Sequence, residues 1–351
     1  MSAIRDLKPR RIALLLPCCI GDVLMATPLL AALRNAWPDA HVSWVAGAAA
    51  RALISDHDQV DATLECDPLP QRSLASLWQL SGLLRDGRFD LVLSLSRSPL
   101  ISLAVGLSGI PQRVGLDSAG RGFGYNLRVP LDPGELRHEA DIYLEAARAL
   151  GLDVSDCPAR MPVQEALWPE LRQRLQEAGI DPQRYVLLFP AGGSNPGMQL
   201  PEKRWPARHF AQLARELDLD VVLVGGPQDG AALAAVGDQV VRAILVLAGE
   251  LTFAQIALLA RRSVLSIGND SGLTHLAAAA GGRTVAIFGP SDPRRYAPSG
   301  PAVLVLWKPG PLPQAGVSAG AAPGWNWREH GIGVAEVSAQ VQDFLATSES
   351  P

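Results

Sequence analysis

The stretch SIGNDSGLTHLAAAAGG, residues 266–282, decides the fold prediction. A short apolar run ends at Asn269, and a very apolar segment with helical spacing follows from Gly272. A buried strand followed at once by a helix is the repeating unit of a parallel α/β sheet. The junction residues Asp270 and Ser271 are polar, so the strand end is also a candidate ligand site.

The same alternation extends through the second half of the chain. Apolar runs of strand length alternate with segments of helical periodicity, which predicts a parallel sheet covered by helices. The strands are YVLLF (185–189), DVVLVGG (220–226), VLSIG (264–268) and TVAIFG (284–289), and the helices are WPARHFAQLARELD (205–218), AQIALLARR (254–262) and LTHLAAAAG (273–281).

The first half repeats this pattern. Its predicted strands are RIALLL (11–16), HVSWVAG (41–47) and FDLVLSLS (89–96), and its predicted helices start at about Thr27, lie around 74–84 and cover 141–152. Residues 97–128 are rich in Gly, Ser and Arg, and no element is assigned to them. A connection that contains several prolines then leads into the second half.

We therefore predict an α/β protein of two Rossmann-like domains, residues 1–160 and 161–335, with parallel sheets that face a central cleft. A last helix is expected within residues 336–351, from about Val334. The Pro/Gly-rich segment 308–327 reads as a surface loop, and its role stays open.

Composition excludes several classes of protein. With 48% hydrophobic and 19% charged residues among 351, the chain is globular rather than disordered. A net charge of -4 argues against binding to nucleic acid. The chain has no apolar run of the roughly 18 to 20 residues that cross a bilayer, so any membrane contact is peripheral. The basic and apolar start imitates a signal peptide, but it breaks at Gly21, which favours a cytoplasmic protein.

The four cysteines offer no metal-ligand spacing. Cys18, Cys19, Cys66 and Cys157 form no CxxC pair and have no His-rich partner segment, so we expect reduced thiols and no bound metal.

Asp22 is a candidate site residue of the first half. It follows the first strand and Gly21, so its carboxylate is expected at the carboxyl edge of the sheet. An acidic residue that only caps the next helix would occupy the same position, and this reading stays open.

Two segments of the second half suit a phosphate. Gly193 and Ser194 follow a strand and offer backbone amides, and Lys203, one of few lysines, supplies a compact cation nearby. A solvated surface lysine is the alternative for Lys203. Asp229 stands where an acidic residue meets ribose hydroxyls in nucleotide-binding turns, or caps a helix.

The junction at 269–275 carries the densest signal. Ser271 and Gly272 begin a helix whose amides and dipole favour a diphosphate, and Asp270 can bond sugar hydroxyls. His275 reaches the same region or is a buried structural histidine. Further on, Arg294 and Arg295 either approach an anion or solvate a loop.

In this order and spacing, these segments resemble glycosyltransferase family 9, the heptosyltransferases of lipopolysaccharide core synthesis. The resemblance covers most of the chain. The motif NDSGL is more similar to the second of these heptosyltransferases than to the first. The matching segments are GDVLMATP (21–28), PAGGSNPGMQLPEKRWP (190–206), LVGGPQD (223–229), GNDSGLTHLAAA (268–279) and FGPSDP (288–293).

The resemblance implies the GT-B fold, in which the terminal helix often packs back on the first domain. It implies that Asp22 activates an acceptor hydroxyl and that Lys203 binds the donor's phosphate. The donor-binding residues implied in full are Gly193, Ser194, Lys203, Asp229, Leu251, Asp270, Ser271, Gly272 and His275.

The expected function is inverting, metal-independent transfer of a heptose from ADP-heptose to a lipopolysaccharide inner-core acceptor or a related glycan. No cofactor or metal is expected. The donor is a nucleotide sugar, and the acceptor is an anionic glycolipid or glycan at the cytoplasmic face of the inner membrane. Charge alone suggests that Arg97, Arg113 and Arg121 attract this acceptor.

Two alternatives remain at this point. The chain could be a transferase of the same fold with another nucleotide sugar or acceptor, in capsule, glycoprotein or secondary-metabolite assembly, or a non-catalytic nucleotide-sugar-binding module. Asp22 argues against the module, which needs no base. A dinucleotide-dependent oxidoreductase is disfavoured because IGDVLMA supplies no GxGxxG turn after the first strand.

Overall fold

The structure is a computed structural model that describes residues 7–66, 73–132, 134–195, 198–311 and 321–347, without the side chains of residues 194, 195 and 198. Contacts between residues divide the chain into two compact units, residues 1–159 and 160–351. Part of the predicted 308–327 loop, residues 312–320, lies outside the described residues.

The first unit is built on one six-stranded sheet, and every pairing in it is parallel. Its strands are β1 (Arg11–Leu15), β2 (His41–Ala46), β3 (Ala62–Glu65), β4 (Leu91–Ser94), β5 (Gln112–Ser118) and β6 (Leu127–Leu131). The order across the sheet is β3-β2-β1-β4-β5-β6. The central strands β1 and β4 are apolar on both faces because helices cover both sides of a parallel sheet.

Five helices of the described residues belong to this unit, and they are α1 (Ile20–Ala36), α2 (Ala48–Ile54), α3 (Leu74–Asp86), α4 (Pro99–Leu107) and α5 (Glu139–Ala149). Helix α1 begins at Ile20 rather than at the predicted Thr27, so Asp22 lies in its first turn. Residues 97–128, to which the sequence assigned no element, contain α4, β5 and the start of β6.

The second unit repeats the architecture around a second six-stranded parallel sheet. Its strands are β7 (Tyr185–Phe189), β10 (Asp220–Gly225), β11 (Ile244–Ala248), β12 (Leu265–Asn269), β13 (Thr284–Ile287) and β14 (Val303–Leu306), and a short antiparallel pair, β8 (Ser194–Asn195) and β9 (Met198–Gln199), lies apart from them. The order across this sheet is β11-β10-β7-β12-β13-β14. Counted along the chain within the second unit, its strands follow the same order as those of the first sheet.

Helices of the second unit cover this sheet, and they are α6 (Trp168–Glu177), α7 (Ala207–Leu217), α8 (Gly230–Gly237), α9 (Phe253–Arg262), α10 (Gly272–Ala279), α11 (Pro293–Tyr296) and α12 (Val334–Thr347). One-turn 3₁₀ helices lie at Glu165–Leu167 and Pro201–Lys203. The strands predicted in this half are all present, and β11 and β14 are additional.

The terminal helix α12 buries its apolar side in the second unit. Val337 and Val341 are fully buried and belong to the core cluster that also holds Trp205 and Phe210. Helix α12 contacts α7 and β14 of the second unit. The packing on the first domain that the resemblance implies stays a prediction.

Both strand orders match the doubly wound order 3-2-1-4-5-6, which confirms the predicted α/β class with two Rossmann-like sheets. In such sheets ligands bind at the carboxyl edge of the strands, where the polar loops described next emerge. Among the described residues, no helix is long and apolar enough to cross a membrane.

Candidate functional site

A buried carboxylate and an ammonium meet at the carboxyl end of β12. Lys203 Nζ lies 2.6 Å from Asp270 Oδ2, and the Ser291 hydroxyl donates to the same oxygen at 2.6 Å. Burial alone raises the pKa of the Asp270 carboxyl, but the Lys203 charge, its hydrogen bond and that of Ser291 together hold the pKa below the ordinary value. Asp270 is therefore an ionised acceptor at neutral pH.

Asn269 holds the surrounding loops at the same strand end. Its side chain is fully buried, accepts from the Trp205 backbone amide at 2.9 Å, and donates to the Pro190 and Ala191 carbonyls at 2.9 and 3.0 Å. One amide side chain thus joins β12 to the loop after β7 and to the segment that carries Lys203. Asn269 thus connects the strand end beside Asp270 to the backbone two residues after Lys203.

The glycine pair after β7 passes close to the start of α10. Gly192 has φ +107°, and a Cβ there would lie 2.6 Å from Ser271 Cβ. Gly193 has φ +74°, and its Cβ would lie 2.2 Å from the Leu200 carbonyl oxygen. Only glycine fits these positions without displacement. The side chain of the predicted phosphate residue Ser194 is outside the described residues, and its backbone forms β8.

Helix α10 presents its amino end beside Asp270. Ser271 precedes the first turn in an extended conformation, and its hydroxyl lies 3.1 Å from Thr274 Oγ1 rather than capping a backbone amide. The first-turn amides of Gly272 and its neighbours, with the helix dipole, therefore suit an anion. His275 is buried in that first turn and is the smallest of the named contributions that lower the pKa of Asp270.

Asp229 and Leu251 lie at the same edge of the sheet, after β10 and β11. Asp229 Oδ2 accepts from the Gly226 amide at 2.8 Å, which closes the turn after β10. Leu251 is partly exposed just before Thr252, which caps α9. Asp229 lies in the turn after a strand, as its sequence position predicts, and its hydrogen bond to Gly226 shows a structural role. The contacts of Asp229 with ribose and of Leu251 with the base stay predictions.

The arginines after β13 have local partners. Arg294 forms an ion pair with Asp292 at 2.7 Å and lies over the ring of Trp307. Arg295 lies over the ring of Tyr296. These contacts fit the reading that the arginines stabilise their own loop.

Asp22 has a buried partner in the first unit. The hydroxyl of Tyr143, on α5, donates to Asp22 Oδ1 at 3.1 Å across the contact between α1 and α5. Burial raises the pKa of Tyr143 well above its ordinary value, and the charges of Asp22 and Glu139 raise it further. Tyr143 consequently stays a neutral hydrogen-bond donor to Asp22 throughout the physiological range.

Arg97 and Glu139 form an ion pair beside this tyrosine. Arg97 Nη2 lies 2.6 Å from Glu139 Oε2, and the Glu139 side chain is only 1% exposed. Burial lowers the pKa of Arg97, but the Glu139 carboxylate outweighs it, with smaller contributions from Tyr143 and Asp22, so the net shift is upward. One role of Arg97 is thus to neutralise a buried carboxylate, besides the acceptor contact that its charge suggested.

The other two predicted acceptor arginines lie at different ends of the sheet. Arg121 is exposed in the turn after β5, at the carboxyl edge that also carries Asp22 and Arg97. Arg113 lies near the amino end of β5 and donates to the Ile110 and Gly124 carbonyls at 2.5 and 3.0 Å. Arg113 therefore stabilises the amino end of β5 by hydrogen bonds, whereas Asp22 lies at the carboxyl edge of the sheet.

The loop before α1 has an unusual backbone. Cys19, which precedes the helix, has φ 68°, a left-handed conformation that is uncommon for residues other than glycine. A disulfide joins Cys18 to Cys19, whereas the sequence analysis expected thiols. Among the described residues, no group of three potential metal ligands is gathered in one place.

Sequence reasoning missed Tyr143, Glu139, Ser291 and the structural role of Asn269. Their partners are remote in the chain, since 121 residues separate Tyr143 from Asp22 and 21 separate Ser291 from Asp270. The available signals were the tyrosine in a helix that follows the first sheet and the serine in FGPSDP, a segment already singled out for its arginines.

A family model and several known proteins are similar to this chain. The model of glycosyltransferase family 9 (heptosyltransferase) matches residues 77–316. Lipopolysaccharide heptosyltransferase 2 of Escherichia coli K12 is 31% identical over 294 residues, which are 79% of this chain and 82% of that protein. An Escherichia coli lipopolysaccharide heptosyltransferase 3 is 25% identical over 82% of this chain and 86% of that protein.

Solved structures share the fold. The glycosyl transferase family 9 structure from Veillonella parvula has a TM-score of 0.81 at 24% identity and covers 97% of this chain and 99% of its own. Escherichia coli ADP-heptose lps heptosyltransferase II has a TM-score of 0.76 at 24% identity and covers 97% of this chain and 100% of its own. These structures confirm the predicted GT-B fold.

Proposed function

The chain belongs to glycosyltransferase family 9, and from this premise we propose that it transfers a heptose from ADP-heptose to an inner-core sugar of lipopolysaccharide. It is thus a glycosyltransferase. The donor, the acceptor, inversion at the anomeric carbon and independence from metal ions belong to the proposal. So does the location of the reaction at the cytoplasmic face of the inner membrane, where a glycolipid acceptor is anchored.

The observation that carries the proposal is the Lys203–Asp270 pair at the amino end of α10. A nucleotide diphosphate that leaves a sugar gains negative charge on its bridging oxygen. A compact ammonium, a helix amino end and glycine-lined backbone are the protein groups that stabilise such charge. Asp270, ionised and buried next to them, is suited to accept hydrogen bonds from the hydroxyls of the transferred sugar.

On the donor side, the proposal assigns the diphosphate to Lys203, Gly193 and the first turn of α10. Asp229 and Leu251 take the ribose and the base, because both follow neighbouring strands at the same edge. Binding of the donor would replace part of the Lys203–Asp270 contact by contacts with phosphate and sugar. Ser291 then keeps Asp270 hydrogen-bonded and oriented.

On the acceptor side, Asp22 takes the proton of the attacking hydroxyl. As the acceptor oxygen bonds to the anomeric carbon, the bond from that carbon to the diphosphate oxygen breaks, and the electron pair leaves with ADP. The proton ends on Asp22, and the configuration at the anomeric carbon inverts because attack and departure occur on opposite faces. Tyr143 holds Asp22 in one orientation through its hydrogen bond.

The test is a transfer assay with purified protein and chemically defined inner-core acceptor in the presence of EDTA. ADP-heptose, UDP-glucose and GDP-mannose are compared as donors, and the product's anomeric configuration is read by NMR. Rapid transfer from ADP-heptose alone, with inversion and without loss in EDTA, is expected. A preference for another nucleotide sugar would contradict ADP-heptose as the donor and leave the family assignment unchanged. Loss of transfer activity in EDTA would contradict the role of Lys203 in neutralising the charge of the leaving diphosphate.

A further inference from the structure

Residues 325–332, which follow the Pro/Gly-rich segment, fold into a compact turn just before α12. The amides of Glu329 and His330 donate to the side-chain oxygen and the carbonyl of Asn326, each at 3.0 Å. Ile332 is 2% exposed and belongs to the core cluster of the second unit. The 325–332 turn is therefore packed into the second unit, and the function described so far gives it no role.

The tryptophans of this turn pack on the loop that carries Ser291. The rings of Trp325 and Trp327 meet edge to face, with their centroids 5.0 Å apart. Both lie against Gly289, since a Cβ at that position would come within 2.7 Å of Trp327 Cζ2 and 3.0 Å of Trp325 Cη2. Gly289 precedes Ser291 by two residues, and Ser291 donates to Asp270. The two rings therefore support the loop whose hydroxyl binds Asp270.

The other end of the turn is anchored independently, on the segment that carries Lys203. Trp205 Nε1 donates to the Ile332 carbonyl at 3.1 Å, and both residues are buried. Trp205 follows Lys203 by two residues. Because this anchor does not involve Trp327, a change of Trp327 is expected to leave the Lys203 side of the site in place.

Trp327 acts on the Ser291 loop by packing rather than by a hydrogen bond. Among the described residues, the buried Nε1 of Trp327 has no hydrogen-bond partner. A Cβ at Gly331 would lie 2.3 Å from Trp327 Cε3, so the ring contacts both Gly331 and Gly289. Close packing of this kind depends on the volume and shape of the side chain. An aliphatic side chain would leave space beside Gly289, whereas phenylalanine would keep much of the ring.

We infer that Trp327 is a positioning residue of the donor site. Its ring holds the Gly289 loop in place, and this loop presents the Ser291 hydroxyl to Asp270. In the proposed function, on which this inference rests, Asp270 binds the transferred sugar, whereas Lys203 and the first turn of α10 bind the diphosphate. Loss of the Trp327 ring should therefore weaken binding of the sugar part of the donor and leave binding of the nucleotide part unchanged.

The experiment is a double-mutant cycle of Trp327→Leu and Ser291→Ala in the full chain. Calorimetric titration measures the dissociation constants of ADP-heptose and of ADP for the wild type, the two single variants and the double variant. Trp327→Phe tests whether another aromatic ring restores the function. Trp168→Leu is the matched control, because it removes a tryptophan of the second unit whose ring contacts Arg262 instead.

We expect the dissociation constant of ADP-heptose to rise by roughly tenfold in Trp327→Leu and in Ser291→Ala, because both disturb one hydrogen bond to a charged group. The double variant should bind as weakly as either single variant, since residues that act through one another are not additive. ADP should bind all four proteins within about twofold, and Trp327→Phe and Trp168→Leu should bind ADP-heptose within about threefold of the wild type.

Three results would overturn the inference. One is a folded Trp327→Leu protein that binds ADP-heptose as the wild type does. Another is a double variant whose loss is the product of the two single losses, because Trp327 would then not act through Ser291. The third is an equal loss of affinity for ADP and ADP-heptose, which a general disturbance of the second unit would produce.

Circular dichroism checks that each variant is folded, and Trp327→Met takes the place of Trp327→Leu in the cycle if that variant is not. A wild type that prefers another nucleotide sugar would contradict the proposed donor. The same cycle with that sugar and its nucleotide would still test Trp327, so failure of the proposed donor and failure of the positioning role are distinguishable.

Discussion

At the scale of single residues, two carboxylates at strand ends are held in different ways. Asp270 is buried, paired with an ammonium and hydrogen-bonded to Ser291. Asp22 is partly exposed in a helix's first turn, where the neutral hydroxyl of Tyr143 donates to it. Burial beside an ammonium suits a group that stays ionised and binds, whereas a partly exposed carboxylate at a strand end is accessible to the proton of a bound hydroxyl.

Tyr143→Phe removes the hydrogen bond to Asp22 and keeps the ring that packs in the core. We expect kcat to fall by roughly tenfold to a hundredfold, with the KM for the donor unchanged, because a hydrogen bond to a charged group is lost. The acid limb of the pH–rate profile should move to higher pH, since the ionised base loses a donor. Tyr125→Phe, which removes another buried tyrosine hydroxyl of the first unit and its hydrogen bond to Ser94, is the control. An unchanged profile would contradict a positioning role.

Lys203→Gln removes the cation beside Asp270. The dissociation constant of the nucleotide-sugar donor should rise by roughly tenfold to a hundredfold, because a charge-assisted contact with phosphate is lost. Calorimetric titration measures it, and Lys308→Gln, at an exposed lysine, should bind as the wild type does. Equal donor affinity for Lys203→Gln and wild type would remove Lys203 from the donor site.

The lowered pKa of Asp270 predicts how stability depends on pH. A carboxyl whose pKa is lowered by folding contributes stability above its unfolded pKa and loses it as pH falls through the folded pKa. The difference in unfolding free energy between wild type and Asp270→Asn should be constant near neutrality and shrink below about pH 4. Urea unfolding at several pH values measures it, with Asp238→Asn as the exposed control. A difference independent of pH would contradict the assignment.

At the scale of elements, the sequence predicts strands that are buried on both faces and misses those that are not. The strands β1, β7 and β12 are short apolar runs followed by helices, which the alternation identifies. Strand β5 carries Gly115 and Asp117, and Gly115 is required because a Cβ would lie 2.3 Å from the ring of Tyr125. A strand whose glycine accommodates the ring of a residue outside that strand has no strand pattern in its own sequence.

The start of α1 shows the same limit. Gly21 indicates a loop by local rules, yet the helix already begins at Ile20. Contacts of α1 with α5 explain the difference, because tertiary packing outweighs the low helix propensity of one glycine. Candidate site positions were therefore predictable at strand ends, whereas their partners from α5 and from the loop after β13 were not.

The substitution Gly192→Ala tests the close packing of the turn after β7 against the start of α10. The new Cβ would lie 2.6 Å from Ser271 Cβ at a φ of +107°, so we expect a loss of about 3 kcal/mol or more in unfolding free energy and impaired donor binding. Gly179→Ala is the control, since φ is +73° and nothing lies within 4 Å of its Cβ. It should cost only about 1–2 kcal/mol. Urea unfolding measures both variants. An equal loss of unfolding free energy in Gly192→Ala and Gly179→Ala would show that the close contact between residue 192 and Ser271 has no effect on stability.

At the scale of the whole molecule, two sheets of the same strand order carry different polar groups at their carboxyl edges. The first presents Asp22, the proposed base, and the second presents a cation, a carboxylate and a helix amino end. The fold was predictable because hydrophobic alternation is a property of every strand. The division of roles was inferred only from a resemblance and stays a prediction; the structure adds the hydrogen bond of Tyr143 to Asp22 and the ion pair of Lys203 with Asp270.

The most direct test of this account compares donor binding and transfer for Asp22→Asn. Asparagine keeps an oxygen that accepts from Tyr143 and loses the capacity to take a proton at neutral pH. We predict that ADP-heptose binds with an affinity within about twofold of the wild type, whereas kcat for transfer falls by about 10²–10⁴. A variant that retains transfer within tenfold of the wild type would contradict Asp22 as the base, as would loss of donor binding together with transfer.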